Sequence, residues 1–302
     1  MIGKGSENDE KMTRTGSVAI VGAGRLATFL AVALRGAGFT VSEIVARDLP
    51  GSLRRARSLA MKVGAHATPA DRASLDASIL WFCVPDREIR RAASSVANRL
   101  RVLAAAKNRA HPSFAFHSSG ALLSEELDSL REIGIAVASV HPLMTFVRGA
   151  HPSLAEVAFA LEGDGAAKQV AKTIVSKFGG ESFSLPSSRK AAYHAWATMT
   201  SPLLLAFLVT LEAAARGAGL SREQARRMSL PIIRQTLANY SRLGSARSFS
   251  GPLIRGDAET VAGHLLALKK RPGARDVYVA LARAAIRGLP VKNRDELKRL
   301  LK

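Results

Sequence analysis

The sequence predicts an α/β fold, in which a doubly wound, mostly parallel sheet is followed by an all-α helical domain. Two observations support this prediction. Short apolar runs alternate with stretches of helical periodicity over residues 17–186, which is the pattern of parallel strands connected by helices. After residue 186, Ala- and Leu-rich helical segments predominate and no convincing strand follows. A chain of 302 residues is also long enough for two domains.

The strands are predicted from apolar, β-branched runs that end at turn residues. The run at 78–84 (SILWFCV) has no polar alternation, so it predicts a strand that is buried on both faces and ends before Pro85 and Asp86. The other predicted strands are 17–21, 39–46, 114–117, 136–140, 157–161 and 182–185.

The helices are predicted from periodicity and from their end signals. The first helix follows the first strand and ends at the glycines of 36–38. Residues 50–51 (Pro-Gly) predict a break, after which Ser52 caps a basic helix that extends to residue 62. In the C-terminal part, 221–224 has the sequence of a capping box, and 293–296 gives a similar signal.

The composition predicts a cytoplasmic protein without a membrane segment. Residues 1–16 are expected to be a disordered leader, because they contain no apolar stretch of the kind found in signal peptides. The most apolar run, 202–211, is shorter than the roughly 20 residues needed to span a bilayer. Cys83 is the only cysteine, which excludes an intramolecular disulfide and fits a reducing compartment. The sheet domain is assigned to 17–186 and the helical domain to 187–302.

The formal net charge of +20 has several interpretations. Residues 47–109 hold thirteen Lys or Arg against five Asp or Glu. This excess is consistent with a solvated basic surface, or with attraction of a phosphorylated cofactor or an anionic substrate. Nucleic-acid binding is not favoured, because the basic residues are not interleaved with aromatics and no zinc, helix-turn-helix or RNA-binding signature is present.

The segment GAGRLA at 22–27 matches the G-x-G-x-x-G/A dinucleotide-binding fingerprint in its expected context, between a predicted strand and a predicted helix. Gly22 permits a tight turn, and Gly24 lets the backbone approach a pyrophosphate. Ala27 keeps helix and strand close, and the helix N-terminus faces the phosphates. The sequence therefore predicts a cofactor-binding Rossmann domain, with Ala23, Arg25 and Leu26 completing the phosphate-binding loop.

The residues at the end of the second predicted strand indicate which nicotinamide cofactor is bound. NAD-binding domains usually place an acidic residue there to hold the ribose 2′-hydroxyl. This strand ends in Arg47, with Arg54 and Arg55 soon after, which suits the 2′-phosphate of NADP. Asp48 keeps NAD open as the alternative, because it takes the acidic role if the strand ends one residue later.

Polar residues at the predicted strand ends mark the site of chemistry, since ligands of such sheets bind outside the carboxyl ends of the strands. The backbone of Val84, Pro85 and Asp86 is expected to line the nicotinamide side, with the Asp86 side chain capping the next helix. His117, Ser118 and Ser119 end one strand and His141 ends the next, so these side chains are expected to converge on one crevice. The seven histidines do not pair at metal-ligand spacing, and no metal is predicted.

The helical part supplies further candidate residues. Lys190 and His194 are four residues apart on the first long helix and share a face with Tyr193 nearby. A Lys, Tyr or His on that face is a candidate for proton transfer to the substrate. Arg255 lies in a Gly/Pro-rich loop and is a candidate anion clamp, while Asp257 is predicted to cap the following helix.

Four segments in this order carry a family resemblance: HSSGAL at 117–122, HPLMTF at 141–146, YHA at 193–195 and SGPLIRGDAETVAGHL at 250–265. The chain, from about residue 17 to 268, resembles bacterial Rossmann-like oxidoreductases whose C-terminal half is a domain of unknown function. These proteins are similar in build to pyrroline-5-carboxylate reductase and 6-phosphogluconate dehydrogenase.

The resemblance implies a helical second domain that forms a homodimer, and an active site with a small-molecule substrate between the domains. It names no substrate. One departure is visible: similar proteins usually have Ser-Asn where this chain has Ser201-Pro202. A proline there is expected to bend the helix or to restart it with Ser201 as cap. If the missing Asn contacts substrate, the chain has altered chemistry, or it is a non-catalytic NADP-binding protein.

Overall fold

The computed structural model describes residues 16–104, 112–147, 149–150 and 153–302. The predicted leader, apart from Gly16, lies outside the described residues. The chain forms two compact units, Met1–Ala197 and Thr198–Lys302. The domain boundary after residue 186 stays a prediction. The helix that begins at Lys190 has its first buried residues, Lys190 and Tyr193, in the first unit.

The first unit contains an eight-stranded sheet with the strand order β3-β2-β1-β4-β5-β6-β7-β8. All neighbouring strands are parallel except β6 and β7, so the predicted α/β class with a mostly parallel sheet is confirmed. The strands are β1 Ser17–Val21, β2 Thr40–Ala46, β3 His66–Pro69, β4 Ile79–Phe82, β5 Phe114–His117, β6 Ala136–Pro142, β7 Ala158–Gly163 and β8 Glu181–Ser184.

Strand β3 was not predicted, because it is a short edge strand with only partial burial and no apolar run. Strand β4 lies in the middle of the sheet and all four of its residues are buried, as its unbroken apolar sequence predicts. Strand order reverses between β1 and β4, since β1 pairs with β2 on one side and with β4 on the other. This switch point is where ligands of such sheets bind.

Helices cover both faces of the sheet in the first unit. They are α1 Arg25–Gly36, α2 Pro50–Val63, α3 Ile89–Ala104, α4 Asp128–Arg131 and α5 Gly165–Lys177. A further helix, α6 Lys190–Thr200, begins in this unit and ends past its boundary. In α1, Leu30 and Leu34 belong to the same core cluster as Val18 and Ile20 of β1. On the other face, buried residues of α3 such as Val96 pack with Leu80 of β4. These helices therefore fix the sheet, and with it the positions of the strand ends.

The start of α2 corrects the predicted break at residues 50–51. Pro50 is the first residue of the helix, where its fixed φ suits the helix and its missing N–H group costs no hydrogen bond. Ser52 therefore lies inside the first turn rather than at the cap. The helix ends at Val63 because Gly64 adopts a left-handed conformation.

The described residues of the second unit form helices joined by short connections, and no strand is found among them. Its helices are α7 Pro202–Ala215, α8 Arg222–Ser248, α9 Pro252–Arg255, α10 Ala258–Ala267, α11 Pro272–Gly288 and α12 Arg294–Leu300. The predicted capping box at the start of α8 is confirmed, since the Ser221 hydroxyl accepts from the Gln224 N–H and the Gln224 side chain accepts from the Ser221 N–H. The core of this unit is formed by Val261, Leu265, Ile286 and Leu297 together with their neighbours.

Helices α6 and α7 are separated by a backbone break at Ser201, whose φ and ψ are −130° and −76°. Pro202 then begins α7, so the expected restart is confirmed, although the Ser201 side chain makes no capping hydrogen bond. Among the described residues, one stretch, Ser187–Ala218, has the length and apolar composition of a membrane span. By length and composition alone such a stretch is weak evidence for a membrane.

Candidate functional site

A cavity of about 480 Å³ lies at the carboxyl ends of β1, β2 and β4. It sits at the switch point between β1 and β4, where the fold predicts a ligand. Its walls include predicted cofactor residues together with Cys83 and side chains from α2, α3 and the turn before α3: Gly22, Ala23, Gly24, Arg47, Ser52, Arg55, Cys83, Val84, Pro85, Arg87 and Arg91.

The turn after β1 requires glycine at its first position. Gly22 has a φ of +113°, and a Cβ atom there would lie 2.5 Å from the carbonyl oxygen of Cys83. The Gly22 N–H donates to the Val45 carbonyl at 2.8 Å, and the Cys83 N–H donates to the Val21 carbonyl at 2.8 Å. The turn is therefore held between β2 and β4, with no room for a side chain.

Gly24 leaves the N-terminus of α1 open. It occupies the cap position of the helix, makes no side-chain capping bond, and no residue of the first helical turn is acidic. The first backbone N–H groups of a helix lack intrahelical partners, and together with the helix dipole they attract an anion. A dinucleotide pyrophosphate fits this cradle, and its approach is not obstructed by a side chain at Gly24.

The remaining fingerprint residues do not line the cavity. Ala27 is fully buried and packs in the core between α1 and the sheet, as the fingerprint requires. Leu26 is partly buried against the same core cluster, and Arg25 is exposed at the start of the helix. Ala27 and Leu26 therefore support the loop by packing rather than by direct contact with the cavity.

The corner of the cavity beside β2 is basic. Arg47, Ser52 and Arg55 all line it, and an Arg55 N–H group donates to the Ser52 hydroxyl at 3.4 Å. Asp48 is not among the lining residues; its carboxylate lies 3.8 Å from Arg72 in an exposed ion pair. This placement suits a phosphate group at the corner better than a ribose 2′-hydroxyl held by a carboxylate.

Asp86 joins the cavity to the polar cluster at the next strand end. Pro85 lines the cavity, and the carboxylate of Asp86 accepts a hydrogen bond from the Ser119 hydroxyl at 2.7 Å. The side chain makes no capping bond to the following turn, so the expectation that Asp86 caps a helix is wrong. Its hydrogen bond to Ser119 instead ties the loop after β4 to the loop after β5.

Ser119 and His117 hold the shape of the loop after β5. The Ser119 hydroxyl, besides donating to Asp86, accepts from the backbone N–H groups of Ala121 and Leu122 at 3.2 and 3.0 Å. Nδ1 of His117 accepts from the Ser119 N–H at 3.1 Å, so Nε2 carries the proton and donates to the Leu123 carbonyl at 2.9 Å. Both side chains are thereby committed to the loop.

His117 is fully buried, and this burial lowers its pKa to about 4. The ring is therefore neutral at physiological pH and lies under the loop rather than on its open side. Ser118 is half-buried, and its hydroxyl accepts from the indole N–H of Trp81 at 2.9 Å. Of the three predicted residues at this strand end, Ser118 is the most accessible to a ligand.

His141, Tyr193 and His194 meet around Gly120. Nδ1 of His141 lies 2.7 Å from the Tyr193 hydroxyl, and the rings of His141 and His194 are 6.3 Å apart. A Cβ atom at Gly120 would lie 2.8 Å from Nε2 of His141 and 2.7 Å from Cδ2 of His194. The glycine therefore allows both imidazoles, each half-buried, to approach the loop.

The electrostatics of this cluster favour neutral groups. Burial, and after it the electrostatic influence of His194 and Lys190, lowers the pKa of His141 to about 4. Burial also raises the pKa of Tyr193 to about 12. At neutral pH the imidazole of His141 is therefore uncharged and the phenol of Tyr193 keeps its proton.

Lys190 lies beneath the cluster, in a buried ion pair. Its Nζ is 3.4 Å from a carboxylate oxygen of Glu162, and Glu162 also accepts from the Ser124 N–H at 2.8 Å and from the Ser124 hydroxyl at 2.9 Å. Burial lowers the pKa of Lys190 to about 8 although Glu162 opposes the shift. The side chain of Lys190 faces the interior of the first unit, only 3% of the residue being exposed.

Sequence reasoning missed several residues that shape this site. Glu162 and Gly120 are the most important, and Trp81, Ser124 and Ser139 are the others. A charged residue at the end of an apolar strand was the available signal for Glu162. Gly120 adjoins the predicted serines, but its role follows from ring positions that no sequence pattern specifies.

Arg255 belongs to the second unit and ends the short helix α9, where its guanidinium lies 3.9 Å from Asp257. Asp257 caps α10 as predicted, accepting from the Thr260 N–H at 3.0 Å. Within the described ranges, no group of three or more His, Cys, Asp or Glu side chains is arranged to hold a metal ion.

Two family models match the chain. A Rossmann-like domain matches residues 1–142. A domain described as "Domain of unknown function (DUF2520)" matches residues 157–285. Among curated proteins, no sequence matches the chain.

Solved structures share the fold over nearly the whole chain. A candidate NADP oxidoreductase from Bacteroides fragilis has a TM-score of 0.70 at 21% identity, covering 90% of this chain and 98% of its own. A protein from Thermotoga maritima has a TM-score of 0.69 at 23% identity, covering 94% and 100%. An imine reductase from Myxococcus stipitatus in complex with NADP⁺ has a TM-score of 0.63 at 17% identity, covering 95% and 100%.

Proposed function

The chain is a Rossmann-like domain followed by a domain of unknown function (DUF2520), and from this premise we propose that it is an NADP-dependent oxidoreductase. It acts as a reductase or dehydrogenase on a small anionic carbonyl or imine compound. The observation that carries the proposal is the continuity of two sites: Pro85 lines the cavity at the switch point, and the adjoining Asp86 accepts a hydrogen bond from Ser119 in the loop whose Gly120 lies beside His141 and His194.

The cofactor site supports NADP rather than NAD. The Gly22–Gly24 turn and the open N-terminus of α1 hold the pyrophosphate, and Arg47 with Arg55 holds the 2′-phosphate. Asp48 is turned to Arg72 and does not compete for this position. The bound nicotinamide supplies the hydride, while the chain binds, orients and exchanges protons. The NADP⁺ complex of the similar imine reductase fits the same interpretation.

The polar cluster supplies the substrate site. Ser118 and His141 orient the substrate and His194 moves the proton, because these side chains are the half-buried members of the cluster. Ser119, His117 and Lys190 act indirectly, since the first two shape the loop and Lys190 is paired with Glu162 beneath it. The positive net charge favours an anionic substrate. A location in the cytoplasm fits the proposed use of NADPH and the single, buried Cys83, which forms no disulfide.

Calorimetric titration with NADPH and NADH tests the cofactor assignment. We expect NADPH to bind at least about tenfold more tightly than NADH, and Arg47→Ala to weaken NADPH selectively by roughly 10- to 100-fold, since hydrogen bonds to charged groups contribute about 1.5–3 kcal/mol. Arg54→Ala is the matched control, because Arg54 is exposed on the same helix as Arg55 but does not line the cavity. Failure of both nucleotides to bind would remove the oxidoreductase proposal.

Turnover is tested by NADPH oxidation with a panel of ketoacids and cyclic imines. His194→Ala is expected to abolish turnover while NADPH affinity is retained. A wild-type protein that binds NADPH tightly and turns over no substrate would favour the alternative, a non-catalytic NADP-binding protein. The proline at position 202, where the family resemblance implies Asn, gives that alternative its specific motivation.

We also propose that the second unit forms a homodimer. Helix α7, all of whose residues the structure describes, has no buried residue, and α8, whose backbone kinks at Gly244, has only Ala225 buried. Their exposed apolar side chains are Leu203, Leu204, Leu205, Val209, Met228, Leu230, Ile232, Leu237 and Tyr240. Together these present on the order of 1,000 Å², comparable with the roughly 800 Å² that each partner buries in a standard interface. A second copy of the chain has the matching apolar face.

A further inference from the structure

A hydrogen bond between His141 and Tyr193 joins the cluster's central imidazole to helix α6. Nδ1 of His141 lies 2.7 Å from the Tyr193 hydroxyl, and the two rings meet edge to face with centroids 5.5 Å apart. His141 belongs to strand β6, so the bond connects the sheet to the helix. Within the described residues it is the one hydrogen bond that the structure gives the Tyr193 side chain.

The direction of this hydrogen bond follows from the acidity of its two partners. A phenol O–H is a stronger donor than a neutral imidazole N–H, and an imidazole nitrogen is a stronger acceptor than a phenol oxygen. Burial keeps the phenol protonated by raising the pKa of Tyr193 to about 12, and it keeps the imidazole neutral by lowering the pKa of His141 to about 4. The favoured arrangement is therefore a phenol that donates to Nδ1.

We propose that Tyr193 is a positioning residue that fixes the tautomer of His141, so that Nε2 carries the proton and donates a hydrogen bond to the substrate. A neutral imidazole has one N–H group, so an Nδ1 that accepts from Tyr193 places the proton on Nε2. This inference rests on the proposed function for the identity of the acceptor, but the tautomer itself does not depend on it.

The surroundings of Nε2 show where that donor lies. Nε2 faces the loop at Gly120, 2.8 Å from the position that a Cβ would occupy, and the His194 ring lies beside it. The titratable groups around the His141 ring come from several elements: Asp86 after β4, His117 at the end of β5, and Lys190 and His194 on α6. The N–H donor at Nε2 of His141 therefore lies next to His194, the side chain that we assign to proton transfer.

The tautomer restricts the class of substrate. An uncharged N–H donor binds an atom with a free lone pair, such as a carbonyl oxygen or the nitrogen of a neutral imine. A protonated iminium nitrogen has no lone pair to accept this bond. We therefore expect the site to prefer carbonyl compounds or unprotonated imines, with the hydrogen bond strengthening as negative charge develops on the acceptor.

Long-range ¹H–¹⁵N correlation spectra of ¹⁵N-histidine-labelled full-length protein test the tautomer without any substrate. The His141 signals are assigned by their loss in His141→Gln. We expect Nε2 to be protonated and Nδ1 unprotonated in the wild type, and a mixture of tautomers in Tyr193→Phe. A wild-type His141 with its proton on Nδ1, or a Tyr193→Phe spectrum identical to wild type, would overturn the proposal.

Tyr278→Phe is the matched control, because Tyr278 makes the same kind of bond elsewhere, at 3.0 Å to Nδ1 of His264. It should leave the His141 signals unchanged. In the turnover assay, Tyr193→Phe should lower kcat in proportion to the fraction of His141 that no longer carries its proton on Nε2, with NADPH affinity near wild type. Wild-type kcat in a variant whose tautomer has changed would also overturn it. If the wild-type protein itself turns over no substrate, that result counts against the proposed function. The spectra still decide the tautomer of His141, because they need no substrate.

Discussion

Lys190 and Glu162 form an ion pair in the interior of the first unit, with Nζ 3.4 Å from the carboxylate and side chains only 4% and 9% exposed. The carboxylate is held by two further hydrogen bonds from Ser124. These bonds offset part of the cost of removing both charges from water. The pair anchors the start of helix α6, which carries Tyr193 and His194 to the site.

Glu162→Gln is expected to destabilise the first unit by about 3 kcal/mol, because it leaves a buried ammonium without a counter-charge. Chemical denaturation followed by circular dichroism measures the change. Glu132→Gln is the control: Glu132 lies 3.5 Å from Arg101, but both side chains are exposed. We expect a change of less than about 0.5 kcal/mol there. An equal loss in the free energy of unfolding for the two variants would show that burial of the Lys190–Glu162 ion pair does not affect stability.

Stability should fall in mild acid because of two histidines. The folded-state pKa values of His117 and His141 are each lowered to about 4 from a usual value of 6.5. Between these values the unfolded chain binds more protons than the folded one, so the stability present above pH 6.5 is lost as pH falls toward 4. Each histidine contributes a slope of about 1.4 kcal/mol per pH unit within this range.

Denaturation midpoints measured across that range test this assignment. His141→Gln should reduce the pH dependence of the free energy of unfolding by the contribution of one bound proton. The control is His66→Gln, because His66 is exposed on the edge strand β3. Its pH profile should parallel wild type, and a parallel profile for His141→Gln as well would contradict the assigned shift.

Comparing Gly22→Ala with Gly38→Ala separates the effect of a steric clash from the effect of backbone strain. The Cβ of Gly22→Ala would lie 2.5 Å from the Cys83 carbonyl oxygen at a φ of +113°, so we expect a loss of at least about 2 kcal/mol in stability and loss of NADPH binding. Gly38→Ala is the comparison, because Gly38 has a φ of +85° but open space around it. It should cost about 1 kcal/mol and leave cofactor affinity unchanged. Tight NADPH binding by Gly22→Ala would mean that the turn does not cradle the pyrophosphate.

Gly120→Ala should impair turnover without affecting the cofactor. The new methyl group would displace the His141 and His194 rings, from which it would lie less than 3 Å. A displacement of about 1 Å in a catalytic group costs on the order of 100-fold in rate, whereas the proposed pyrophosphate site is at the Gly22 turn, which this substitution leaves unchanged. Gly165→Ala, in open space at the start of α5, is the control in steady-state kinetics. Unchanged kcat for Gly120→Ala would place the reaction elsewhere.

The apolar faces of α7 and α8 predict a dimer that charge can disrupt. Leu205 and Ile232 are among the most exposed apolar side chains there, at 61% and 68%. Leu205→Glu with Ile232→Glu is expected to convert a dimer into monomers in sedimentation velocity experiments. Met61→Glu, on the first unit and 79% exposed, should leave the dimer intact. A monomeric wild type that floats with phospholipid vesicles would instead identify a membrane as the occupant of these faces.

The pattern of the sequence predicted the parts of the fold that depend on local chemistry. The apolar run at β4, the glycine turn at Gly22 and the capping box at Ser221 each act over a few neighbouring residues. Their signals are therefore readable from the chain alone. The edge strand β3 escaped prediction because partial burial imposes no distinctive pattern on four residues.

The candidate site required the folded chain, because its contacts join residues far apart in sequence. Asp86 meets Ser119, Glu162 meets Lys190, and His141 meets Tyr193 across separations of 28 to 52 residues. The sequence indicated that these polar residues stand at strand ends and on one helix. It did not distinguish a serine that shapes a loop from one that faces a ligand.

The sequence by itself determined a dinucleotide-binding sheet followed by helices, because periodicity and glycine spacing are local consequences of backbone sterics. The tertiary structure decided the role of each polar side chain, because role depends on burial and on partners brought from other strands. His117 and His141 illustrate the difference. Both lie at the carboxyl end of a strand of the sheet, yet His117 holds a loop from the interior and His141 lies half-buried beside His194.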